Sequence, residues 1–345
     1  MGISHDRAAH LAWFASSPQD LNATLRSRNT TSASNINEIS IPILPSLPLS
    51  LLFLLPPSSA WGNLGHRTIA LLAEKHFTPA ATSYVQLLLG SSPISDAAIW
   101  ADNYKFLPQG RYTSSWHFAD ARDDPPTTCG FSYRRDCTPD RTCIIDAIVN
   151  MTGRVNNQRL PHAERGVALK FLLHLIGDLH CPLHIEGLLR GGNDIAVLWE
   201  GRVENLHFVW DVLIPQKRTN STEADEGAAA GAWAERLSGV ILKDPNVTQG
   251  MAQGLVNTED EFLGLLDNAE ELAVRWAGET NAWVCRTVLR DGVEGVEGKE
   301  LSGEYFIATI HGLEELVSNA GRRLAAWINE LAKEDALQRG KGELK

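Results

Sequence analysis

The sequence predicts an all-α fold, a single mostly helical domain, and three observations predict it. Apolar residues recur at spacings of three and four along several long stretches, the period of a helix with one buried face. Strict apolar and polar alternation, the mark of a half-buried strand, is scarce. A chain of 345 residues with 43% hydrophobic content can bury a sizeable core in one large domain or two smaller ones, and no internal repeat interrupts it after residue 60.

Taken in order, residues 1–60 read as a presequence. Residues 1–40 are rich in Ser, Thr, Asn and Ala without periodicity, and Ile41 to Leu55 forms an apolar run broken by prolines. That run is shorter than the ~20 residues a membrane-spanning helix needs and resembles a secretory h-region. Ser58-Ser59-Ala60 offers the small residues signal peptidase requires, so cleavage is expected after Ala60, leaving Trp61 as the first residue. The long stretch before the h-region reads as an extra targeting segment or the product of an upstream start codon; a retained disordered tail is the alternative. Helical periodicity then covers His66 to Phe77, Cys143 to Val155, Glu164 to Leu179, Ala230 to Leu242, Asp260 to Ala277 and Tyr305 to Leu331. Loops are expected at Asp120 to Asp140 and Leu188 to Asp194. The domain spans residues 61–332, and residues 333–345 read as a charged, frayed tail.

Thirty-one Lys and Arg against 42 Asp and Glu give a net charge of -11, which repels a polyanion at long range. Residues 1–60 hold three Arg and three acids, so their removal leaves the charge unchanged. Any contact with nucleic acid must therefore be local. The five cysteines include no C-x-x-C pair, which in an exported chain favours disulfides over a metal cluster. Asn150, Asn220 and Asn246 each open an N-glycan acceptor sequence, mild support for export.

The chemistry concentrates in His174-Leu-Ile-Gly-Asp178-Leu-His-Cys-Pro-Leu-His184. His174 and Asp178, four residues apart, share one helix face. Their apolar flanks bury that helix, and a buried carboxylate is costly unless a cation or several donors compensate it. Pro182 should end or bend the helix and let His184 approach the same cavity from another direction. His207 and Asp211 repeat the pairing. Trp61 to His66, Trp100-Ala-Asp102 and Trp116-His117-Phe118 each add a donor beside an aromatic; alone, each is more often a packed or solvated residue than a ligand.

As an ordered set, these residues resemble the S1/P1-type secreted zinc nucleases of fungi and plants, from Trp61 to Ala332. The resemblance implies a helical domain around a cleft holding three Zn²⁺. Asp102, His117 and His174 would hold one ion; His184, His207 and Asp211 a second; and His66, with the α-amino and carbonyl groups of Trp61, a third. Asp178 would bridge the first and third. It further implies hydrolysis of phosphodiester bonds in single-stranded DNA and RNA and of 3′-nucleotides, with 5′-phosphorylated products. Lys105 would join Asp102 and Asp178 in catalysis, beside the scissile phosphate, while Phe118, Asp120 and Asn193 bind a base. Cys129 would pair with Cys285 and Cys137 with Cys143, in a secreted enzyme with no obligate protein partner and no membrane contact after cleavage.

Two positions depart from the pattern. Arg190 stands where a small apolar residue can help sandwich the base, and Cys181 replaces a polar amide, reading as a small buried hydrophobe. Two other readings compete. Trinuclear-zinc phospholipase C shares the ligand order, but its Trp-to-His interval is longer and its last carboxylate is typically Glu, unlike Asp211. A non-catalytic zinc protein would saturate each ion with four protein ligands, more than nine residues can give three ions.

Overall fold

The computed structural model describes residues 61–137, 142–241 and 264–343. The presequence and Asn246 lie outside them. As expected, the domain is mostly helical. Its helices are α1 (Asn63–Glu74), α2 (Pro79–Leu89), α3 (Ile94–Ala98), α4 (Trp100–Lys105), α5 (Tyr133–Asp136), α6 (Ile144–Asn156), α7 (His162–Asp178), α8 (Leu206–Phe208), α9 (Ile214–Thr219), α10 (Glu226–Ile241), α11 (Leu265–Trp283) and α12 (Glu304–Glu343). Among the described residues the strands are β1 (Ala196–Trp199) and β2 (Arg202–Asn205), an antiparallel pair in which Trp199 faces Arg202. None of the described helices is long and apolar enough to cross a membrane.

The centre of the fold is α7. Every residue from Phe171 to Asp178 is buried, because the helix is apolar on nearly all sides and other helices enclose it. It packs against α6, α2 and α12, while α1 lies against α10 and α12. Five tryptophans, Trp61, Trp210, Trp233, Trp276 and Trp327, are fully buried in the surrounding core. Burying a large apolar side chain contributes about 1.5–3 kcal/mol, so this core carries much of the fold. Two disulfides, Cys129–Cys285 and Cys137–Cys143, tie the segment before α6 to the residues after α11 and to itself.

Several elements differ from expectation. Helix α2, unassigned in the sequence, is started by Thr78, whose side chain accepts from the Ala81 N–H at 3.2 Å, with Pro79 in the first turn. The Asp120 to Asp140 loop contains the short α5. The β-hairpin turns through Glu200 and Gly201, both with positive φ. The final helix does not stop near Ala332. It continues to Glu343 because Asp335 is drawn into the core by buried Arg165, at 2.6 Å.

Candidate metal centre

Four segments place the donors. Helix α7 supplies His174 and Asp178 one turn apart. It ends at Asp178, and Pro182 opens a 3₁₀ turn to Ile185 that swings His184 back over the same side. Helix α1 supplies His66, and its approach depends on Gly177: a Cβ there would lie 2.9 Å from His66 Nδ1. The first turn of α4 supplies Asp102 and the following 3₁₀ segment His117. His207 leaves α8 into a π turn, Val209–Leu213, which carries Asp211. The wider turn keeps both side chains on one face, with His207 Nε2 2.9 Å from Asp211 Oδ2.

The donors fall into groups. Asp102 Oδ1 lies 3.4 Å from His174 Nε2 and 3.6 Å from His117 Nδ1, and the two imidazoles are 3.0 Å apart. His184 Nε2 is 3.1 Å from His207 Nε2 and 3.7 Å from Asp211 Oδ2. Asp178 stands between: Oδ2 is 3.0 Å from His117 and 3.1 Å from His174, while Oδ1 is 3.2 Å from His66 Nε2. All eight residues are buried, none more than 7% exposed. Trp61 is buried beside them, its indole donating to the Gly177 carbonyl at 2.9 Å. Its α-nitrogen is bonded to Ala60, outside the described residues.

This donor set fits a metal. Zn–N bonds of ~2.0–2.1 Å give tetrahedral edges of roughly 3.3 Å, close to the spacing within both triads. His66 Nδ1 and Nε2, Asp178 Oδ1 and Asp211 Oδ2 are buried without a well-formed hydrogen bond, a cost that a shared cation would offset. The outer contacts also select the ligating nitrogen. Nδ1 of His174, His184 and His207 donates to the carbonyls of Ala98, His117 and Gly191 at 2.7–2.8 Å, turning each Nε2 inward.

Electrostatics agree. Burial opposes the ionised form of Asp178, yet His174 and His184 hold its carboxyl well below the usual range. Burial opposes a charged His174 too, but Asp178 and Asp102 overcome it and push its pKa up to about 10. Burial and then Lys105 lower His117 to about 4; burial and then His174 lower His66. The buried carboxylates thus call for positive charge beside them, while burial keeps His117 and His66 neutral.

Above the donors opens a cleft of about 890 Å³, lined by Lys105, His117, Phe118, Asp120, Arg190, Asn193 and His207 among others. Lys105 Nζ bonds Asp102 Oδ1. The loop carrying Arg190 and Asn193 is left-handed from Leu189 to Gly192, and Asn193 donates its amide to Arg190 O at 2.8 Å. Glu186, unassigned in the sequence, also lines the cleft; it accepts from the Leu188 N–H at 2.8 Å, and burial raises it to about 8. Its signal was only its place two residues after His184. Asn150 is half-buried in α6, and Asn220 is exposed at the left-handed end of α9.

A helical bundle that gathers buried imidazoles and carboxylates beneath an open cleft has the build of a metal-dependent hydrolase. The family model described as S1/P1 Nuclease matches residues 61–333. Nuclease S1 of Aspergillus oryzae is 35% identical over 85% of this chain and 99% of its own length. Nuclease P1 of Penicillium citrinum is 37% identical, covering 79% of this chain and 97% of its own. Endonuclease 3 of Arabidopsis thaliana is 31% identical over 79% of this chain and 88% of its own. The chain belongs to the S1/P1 nuclease family and is a hydrolase of phosphodiester bonds. Enzymes of this family are zinc-dependent, single-strand-specific endonucleases.

Proposed function

We propose that the chain is a secreted endonuclease and 3′-nucleotidase that binds three Zn²⁺ and converts single-stranded DNA and RNA to 5′-phosphorylated products. The observation that carries this reading is Asp178, whose two oxygens face two different donor groups, His66 on one side and His117 with His174 on the other. One ion is assigned to Asp102, His117 and His174, a second to His184, His207 and Asp211, and the third to His66 with the amino and carbonyl groups of Trp61. Zinc, when bound, supplies Lewis acidity toward phosphoryl oxygens and lowers the pKa of water.

The chain's own residues do the rest. Asp102 and Asp178 offset part of the positive charge and fix its position. Lys105, held by Asp102, is placed to meet negative charge that develops on the phosphoryl group. Phe118 offers a stacking face and Asp120 and Asn193 polar contacts to one base, which a paired duplex would not expose. The outer carbonyls of Ala98, His117 and Gly191 keep the imidazoles in one tautomer throughout. Export is supported by the apolar run before Ala60, by the two disulfides, and by a family match that begins at Trp61. Glycans at Asn150, Asn220 and Asn246 belong to the same reading.

The test is to express the full chain in a eukaryotic secretory host. The exported protein is expected to begin at Trp61, to contain three zinc per chain by elemental analysis, and to release 5′-phosphorylated nucleotides from single strands. Full activity with an intact leader, or with a single zinc, would sink the three-ion assignment. Hydrolysis of phosphatidylcholine without that of oligonucleotides would sink the substrate assignment.

A further inference from the structure

Two of the aromatics around α4 turn inward. Trp100 and Tyr104 stack at 4.6 Å, and both meet Phe171 edge-on. Phe106 does the opposite: the residue is 47% exposed and lines the cleft alongside Lys105. An exposed aromatic is unremarkable by itself. This one lies 5.5 Å from Lys105 Nζ, the same ammonium that bonds Asp102 at the edge of the donor cluster. A flat apolar face is thus held within one side-chain length of the cation assigned to the phosphate.

The cleft has room for it to be used. At about 890 Å³ it sits near the top of the ~300–1,000 Å³ range that encloses a single drug-sized ligand, so a nucleotide on Phe118 does not fill it. Charge and shape select the same occupant: a cation for a phosphate, and an exposed π-face for the base joined to it.

We propose that Phe106 is a second stacking platform, holding the base of the nucleotide on the far side of the scissile phosphate from the base that Phe118 holds. The ligand is a single-stranded nucleic acid at least two nucleotides long. This rests on the assignment of Phe118 to a base and Lys105 to the phosphate. Phe106 then favours internal linkages over terminal monophosphates, because only an internal linkage has a base on both sides.

The test uses the zinc-loaded mature enzyme with three dinucleotides: one with both bases, and two each made abasic at one position. Phe106→Ala is expected to lower kcat/KM on the intact dinucleotide roughly fivefold to a hundredfold, the usual range for one lost base stack. Phe106→Trp restores it. The loss persists on one abasic dinucleotide and disappears on the other, where wild type is already slow. An equal loss on all three, or none on the intact one, overturns the proposal while leaving the functional reading in place. A wild-type enzyme that cleaves none of the three overturns the functional reading, and this one with it.

Discussion

Cys181 is the free thiol among the described residues, and it sits against the centre: its Sγ donates to Asp211 Oδ1 at 3.3 Å. Burial and then Asp211 push that thiol well above its ordinary pKa, so it stays protonated and remains a donor. Asp211 Oδ2 is thereby left to face His184 and His207. Cys181→Ala is expected to weaken zinc binding at this group about 10- to 100-fold, the usual effect of deleting an outer contact, and Cys181→Ser to recover most of it. Competition with a chromogenic chelator measures both. Unchanged affinity in the alanine variant would reduce the thiol to packing, the role its sequence position suggests. Other residues were more legible. The four-residue spacing of His174 and Asp178 on an apolar helix announces a buried carboxylate that needs a cation. Gly177 announces nothing and Glu186 only its place near His184, because their roles, clearance for His66 and a polar wall for the cleft, exist only once separate segments meet.

Among the elements, α7 and α12 are held by a contact that periodicity does not reveal. Arg165 is 2% exposed and donates to Asp335 at 2.6 Å and to the Val155 carbonyl at 2.7 Å. Asp335 falls in the charged run after Ala332, where composition alone suggests a frayed end. Removing one partner of a buried ion pair strands the other, typically at about 3–5 kcal/mol, whereas replacing both with apolar residues is often close to neutral. Asp335→Ala, or truncation after Ala332, is therefore expected to lower unfolding stability by about 3 kcal/mol or more. The double change Arg165→Met with Asp335→Leu should regain most of that in urea denaturation. A truncated chain as stable as the full one would show the pair is idle. Length explains part of what is readable: α6, α7 and most of α12 repeat their pattern over three turns or more, while β1 and β2 are four residues each, too short to show alternation. The π turn after α8 leaves no pattern at all, and His207 and Asp211 were found by their chemistry.

At the scale of the molecule, the fold class followed from periodicity, but the convergence of four distant segments on one centre did not; only the ordered resemblance to a known set implied it. The same scale sets the charge problem. A chain of net charge -11 must attract a polyanion to a pocket whose positive charge is local. At ~0.01 M salt the screening length is about 30 Å, so an approaching strand meets the whole acidic surface; at ~0.15 M it is about 8 Å, and mainly the cleft is felt. Protein that binds through a basic track loses affinity steeply with salt, with a log–log slope of about -0.7 per phosphate on single strands. Here the long-range repulsion is screened as the local attraction is weakened, and the two trends oppose. For a long single strand, kcat/KM is expected to hold or rise between ~0.01 and ~0.15 M salt, then fall as the Lys105 and cluster contacts are screened in turn. For a dinucleotide, which carries little charge for the surface to repel, the early rise should be absent. A steep, continuous decline for the long strand across that first interval would mean that a basic path outside the cleft guides it, and that net charge has no say in how substrate arrives.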